Sequence, residues 1–200
     1  MKRKGLTVAL IVAGICTLGV TSAAAQTSSL LSVNYFANNG VSGAPDATVR
    51  VTNPGTENGN LCAQVYVFDN DQQMSECCGC LTTPDGLRTF SVAKDLTSNP
   101  LTGVVSKTGD IRIFASLVNG SPCDPTFGFG GGGAPVGNNT ILDAWATHIQ
   151  NKVGTAYPIT ETAFTGVGPS DGEVGNLIAD CFFIERLGSG HGICSCGTGD

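Results

Sequence analysis

Five cysteines crowd into two short runs, Cys77-Cys78-Gly79-Cys80 and Cys194-Ser195-Cys196, separated by more than half of the chain. Any fold available to this sequence must accommodate them. Cys77 and Cys78 are poor partners for each other, because one trans peptide sets their Cα atoms closer than a disulfide prefers. They are therefore expected to take different partners, with the first run clamping the C-terminal tail. A link of that kind closes a loop of about a hundred residues, for which chain entropy allows roughly 4–5 kcal/mol of stabilisation.

Whether those cysteines oxidise depends on where the chain goes. Residues 1–25 have the three parts of a secretory signal. Lys2, Arg3 and Lys4 start it, an uncharged apolar run follows over 6–20, and Ala23-Ala24-Ala25 supplies the small residues for cleavage. The run is shorter than the roughly 20 residues of a membrane-spanning helix. Cys16 lacks a small residue before it and is expected to leave with the signal rather than serve as a lipid anchor. Removing 25 of 200 residues leaves 175, with eight cysteines. Three of the ten basic residues and none of the sixteen acidic ones are lost, so the net charge moves from −6 to −9. An even cysteine count outside the cytoplasm reads as a disulfide framework of Cys62, Cys77, Cys78, Cys80, Cys123, Cys181, Cys194 and Cys196. The acidic balance argues against nucleic-acid partners, which would need a basic face. No second long apolar segment suggests a transmembrane anchor.

Residues 26–200 are read as a single domain. Apolar and polar residues alternate over 29–36 (Leu31, Val33, Tyr35) and 47–52 (Ala47, Val49, Val51). Residues 61–68 are denser in apolar side chains, as a strand buried on both faces would be. Further strands are expected over 87–92, 111–118 and 141–150, with Asn53-Pro54-Gly55, Pro84-Asp85-Gly86 and Asn119-Gly120 as punctuation. Residues 127–137 are too glycine-rich for a regular element and read as a long loop. One helix is expected, opening with the capping-box pattern Ser170-Asp171-Gly172-Glu173 and stopping near Gly188. Leu177, Cys181 and Ile184 would share its buried face. The expected fold is mainly β, a disulfide-braced antiparallel β-sandwich with one short C-terminal helix.

Three kinds of site compete with a purely structural reading. Cys77, Cys78, Cys80, His191, Cys194 and Cys196 offer thiolate and imidazole ligands to zinc or copper, with Met74 as a soft extra, or a thiol-redox centre. C-x-C is not the usual C-x-x-C zinc spacing, however, and export favours oxidation. Asp69, Asp71 and Glu76 place carboxylates near a turn as calcium would require, without the spacing of an EF-hand loop. His148 and His191 are the only histidines on which a secreted hydrolase could be built, and no G-x-S-x-G elbow accompanies them. Asn119-Gly120-Ser121 and Asn138-Asn139-Thr140 match the glycosylation acceptor pattern. No cofactor motif is present.

The run LCAQVYVFDNDQQMSECCGCLTTPDGLRTFSV (61–92), with DAWATHIQ (143–150) and GSGHGICSCG (188–197), resembles a group of secreted, cysteine-rich bacterial proteins of uncharacterised function. That resemblance implies a bacterial source and an extracytoplasmic location, and carries no catalytic residues. The expected role is a non-enzymatic structural, adhesive or ligand-binding protein of the cell exterior, partnered by itself or by an extracellular ligand. A metal-binding or thiol-redox protein and a secreted hydrolase are the alternatives.

Overall fold

The computed structural model describes residues 31–56, 59–118, 123–126, 142–166 and 171–199. The expected signal at 1–25, the glycine-rich segment at 127–137, both matches to the glycosylation pattern and Ser170 lie outside the described residues. The strands are β1 (Leu31–Phe36), β2 (Thr48–Thr52), β3 (Leu61–Asp69), β4 (Met74–Thr82), β5 (Leu87–Ser91), β6 (Gly109–Leu117), β7 (Asp143–Ile149), β8 (Ile159–Ala163), β9 (Thr165–Gly166) and β10 (Thr198–Gly199). A helix, α1, spans Asp171–Arg186. The strands form two antiparallel five-stranded sheets, ordered β4-β3-β6-β1-β9 and β10-β5-β2-β7-β8. The described residues therefore form a mainly β sandwich with one α-helix.

The main core lies between the sheets. Val49, Val51 and Phe90 meet Ala63, Val65, Val67, Ile111 and Ile113 there. Residues 61–68 are buried throughout because β3 is covered on both sides. Its other face carries Tyr66 and Phe68, which pack with Phe114, Met74 and Cys77 under Leu177, Cys181 and Ile184 of α1. The i, i+4, i+7 spacing of those helical residues supplies that buried stripe. Gly188, with φ +61°, follows the helix in the left-handed region that glycine tolerates. In β1 the parity differs from the alternation of Leu31, Val33 and Tyr35. Phe36 takes the buried side and Tyr35 stays half exposed. The Phe36 ring occupies the space beside Gly109, where a β-carbon would come within 2.7 Å of it. An aromatic ring facing a residue without a side chain decides the face.

Both open sides of the sandwich are laced by chain that changes sheets. On one side β8 pairs with β7, and β9, two residues on, pairs with β1 in the other sheet. On the other side the tail lies along the β4 edge, where Cys77 and Ile193 form a parallel bridge. The Cys77 N–H donates to Gly192 O at 2.9 Å and the Cys194 N–H to Cys77 O at 3.2 Å. The tail then crosses to pair with β5 as β10. The bridge pairs the Cys77 N–H and C=O on an edge strand, where unpaired backbone groups would otherwise invite a second chain.

Candidate functional site

Four disulfides converge on the β3–β4 hairpin. Cys62 bonds Cys123, Cys77 bonds Cys181, Cys78 bonds Cys194 and Cys80 bonds Cys196. Strand alternation sorts them. Cys78 and Cys80 belong to the core between the sheets and reach the tail. Cys77 belongs to the opposite face and reaches α1. The adjacent pair therefore takes different partners because successive side chains point to opposite faces. Such bonds are the chemistry of an oxidising, extracytoplasmic setting.

Gly79, inside the same run, has its own structural reason. It pairs with Gln64, and a β-carbon there would lie 2.6 Å from Gln64 Oε1 and 2.7 Å from the backbone carbon of Cys123. The Cys62–Cys123 bond draws residues 123–126 across this face, and the Tyr66 hydroxyl donates to Pro125 O at 2.8 Å. Burial pushes the Tyr66 phenol upward, with Asp124 and Glu185 adding to the shift.

Among the described residues, only Cys78, Cys80 and Cys196 have three metal-type ligand atoms within 4.8 Å of one another. All three sulfurs are in disulfides, which offer no thiolate to a cation. His191 is exposed on the tail, with its backbone N–H donating to Ser189 Oγ at 3.2 Å. Met74 and Cys77 lie on the helix-covered face, away from Cys78 and Cys80. The six-residue ligand set thus divides into groups on different faces.

Asp69, Asp71 and Glu76 do not converge. Asp69 Oδ1 accepts from the Asp71 and Gln73 N–H groups, both at 2.9 Å, and so closes the turn between β3 and β4. Glu76 is fully buried, opposite Val67 on the face toward the other sheet. Its Oε1 accepts from the Asn99 N–H at 3.0 Å, while Oε2 has no partner. Burial raises its pKa to about 7, and the Asn99 hydrogen bond opposes only part of that shift. Asn99 in turn holds the tail, donating from Nδ2 to Gly190 O at 2.6 Å and accepting the Gly192 N–H at 2.7 Å. A polar turn was the only sequence signal at Glu76. Its burial follows from strand alternation: Glu76 keeps the register of Cys78 and Cys80 and so faces the other sheet with them, opposite Val67.

His148 is fully buried, on the opposite side of the sandwich from the tail. Its ring stacks on Tyr35 at 4.0 Å between centroids, and Nε2 lies 2.6 Å from Thr162 Oγ1. Burial lowers its pKa, opposed in part by a hydrogen bond with the Tyr35 backbone. The structure does not bring the two histidines together. A cleft of about 510 Å³ lies beside α1 and is lined by Phe68, Arg112, Glu173, Asn176 and Asp180, with neither histidine. Arg112 is already paired there with Asp110 at 2.9 Å and Glu173 at 2.7 Å, and lies over the Phe68 ring.

Comparison with family models, curated proteins and solved structures finds no match. No helix among the described residues is long and apolar enough to cross a membrane.

Proposed function

We propose that this chain is a secreted protein of the bacterial cell exterior with a structural, adhesive or ligand-binding role rather than a catalytic one. The observation that carries the reading is the convergence of four disulfides on one hairpin, which ties β3, β4, α1 and the tail into a covalently braced body. Bracing of this kind suits a protein that must persist where no cellular machinery refolds it. Two groups of kinds used in catalysis are enclosed in the packing: His148 is stacked against Tyr35, and Glu76 has Asn99 above it.

The test is to express the whole precursor in a bacterium, fractionate the cells, and count thiols in the denatured, unreduced protein. Recovery outside the cytoplasm, with the signal removed and no free thiol, is the expected result. A cytoplasmic chain with free cysteines would overturn the reading, as would turnover of ester, peptide or glycoside substrates that disappears with His148→Gln.

A further inference from the structure

The ladder between β4 and the tail brings the sulfurs of two disulfides close together. Cys78 and Cys80 stand two residues apart on β4, and Cys194 and Cys196 repeat that spacing on the tail. Cys78 Sγ lies 3.9 Å from Cys80 Sγ, although the two are not bonded to each other. Cys196 Sγ falls within 4.8 Å of both, whereas Cys194 Sγ, bonded to Cys78, stands outside that three-sulfur group. A tetrahedral zinc ion with Zn–S bonds of about 2.3 Å holds its sulfurs about 3.8 Å apart. The unbonded Cys78–Cys80 edge already has that length. The bonded pairs must open from the roughly 2.05 Å of a disulfide, a change of under about 2 Å, and Cys194 Sγ must also close on the other three; rotation of the cysteine side chains supplies both movements.

We propose that, when reduced, Cys78, Cys80, Cys194 and Cys196 form a four-thiolate site for zinc or a chemically similar divalent cation, which holds the tail on β4 in place of two disulfides. Cys77 is outside the set because it faces α1, and His191 because it is exposed on the turn before the tail reaches β4. Four protein ligands and no open position make the site structural rather than catalytic. Cys80 is fully buried, and Cys78 and Cys194 nearly so, which shields the ion from water. Four thiolates with Zn²⁺ carry a net charge of −2. Arg88 helps to offset it, since its Nη1 donates to Cys196 O at 3.4 Å and its Nε to Leu81 O.

The redox balance is simple. One dithiol molecule delivers two electrons and two protons to each disulfide and leaves as its own cyclic disulfide. Two dithiols therefore give four thiols, and these release four protons as they bind Zn²⁺.

The test uses the mature chain, reduced anaerobically with dithiothreitol, desalted, and titrated with Co²⁺ as a spectroscopic probe. One Co²⁺ per chain, with the absorption of a tetrahedral thiolate complex and displacement by Zn²⁺, is expected. The signal should persist in Cys77→Ser/Cys181→Ser and in Cys62→Ser/Cys123→Ser, and vanish in Cys78→Ser/Cys80→Ser and in Cys194→Ser/Cys196→Ser. A signal that survives in either of the last two overturns the proposal. So does its absence from the reduced wild-type chain, including the case in which that chain is unfolded and Zn²⁺ does not restore β-sheet circular dichroism.

Discussion

Glu76→Gln should reverse part of a pH dependence built into this fold. In the wild-type protein the carboxyl is enclosed, so the folded chain keeps its proton over a range in which the unfolded chain has lost it. A carboxyl raised in the folded state contributes stability that is fully present below the ordinary pKa and is lost as pH rises through the folded value. The window here runs from 4.5 to about 7. At about 1.4 kcal/mol per unit, that shift of roughly 2.5 units amounts to about 3 kcal/mol. This is a large share of the 5–15 kcal/mol typical of a domain. Glutamine retains an oxygen to accept the Asn99 N–H and does not ionise. Its amide group takes the place of the unpartnered Oε2 and costs about 1–3 kcal/mol at all pH values. Urea unfolding with disulfides intact, repeated from pH 4 to pH 8, measures both effects. The variant should be the less stable protein at pH 4 and should recover about 3 kcal/mol relative to wild type by pH 8. Other titrating groups act equally in both proteins and cancel in the difference. Parallel stability profiles for the two proteins would refute the enclosed carboxyl.

Cys77→Ser/Cys181→Ser opens the link between β4 and α1, whose ends are 104 residues apart, and should cost about 4–5 kcal/mol on the chain-entropy account. Helical circular dichroism should melt before the sheet signal, and a single unshifted transition would contradict that. Gly79→Ala forces a β-carbon against the Cys123 backbone and should lower stability by about 1–3 kcal/mol in urea unfolding. A neutral result would mean that residues 123–126 do not sit on β4. His148 has its pKa lowered by burial, so its contribution is present above the ordinary 6.5 and is lost as pH falls through the folded value. His148→Gln should therefore lose less stability than wild type between pH 7 and pH 5, and an equal loss would place the imidazole in water.

Much of the sandwich was legible in the chain. Strand alternation shows at Val49 and Val51 because a half-buried strand repeats every two residues. The dense run at 61–68 reflects cover on both faces of β3, and Leu177, Cys181 and Ile184 repeat at the period of a helix. β8 was missed because its residues Ile159–Ala163 are mostly exposed, and an exposed edge strand leaves no apolar pattern. Tyr35 misled for the converse reason: it stays half exposed and stacks on His148, which a period-two pattern reads as core.

The candidate sites divide along the same line. From the sequence alone come the expectation of an export signal, the even set of cysteines its removal would leave, and two adjacent cysteines that need different partners, because these follow from local order and count. Which cysteine meets which depended on tertiary structure. Cys78 and Cys80 reach Cys194 and Cys196 only because the tail lies parallel along the β4 edge. Glu76 changed from a surface ligand to an enclosed acid because the pairing of β3 with β4 set it opposite Val67, on the face that the other sheet covers. Pairing and burial are relations between residues far apart in the chain. Packing in three dimensions settles them, and no local spacing records it.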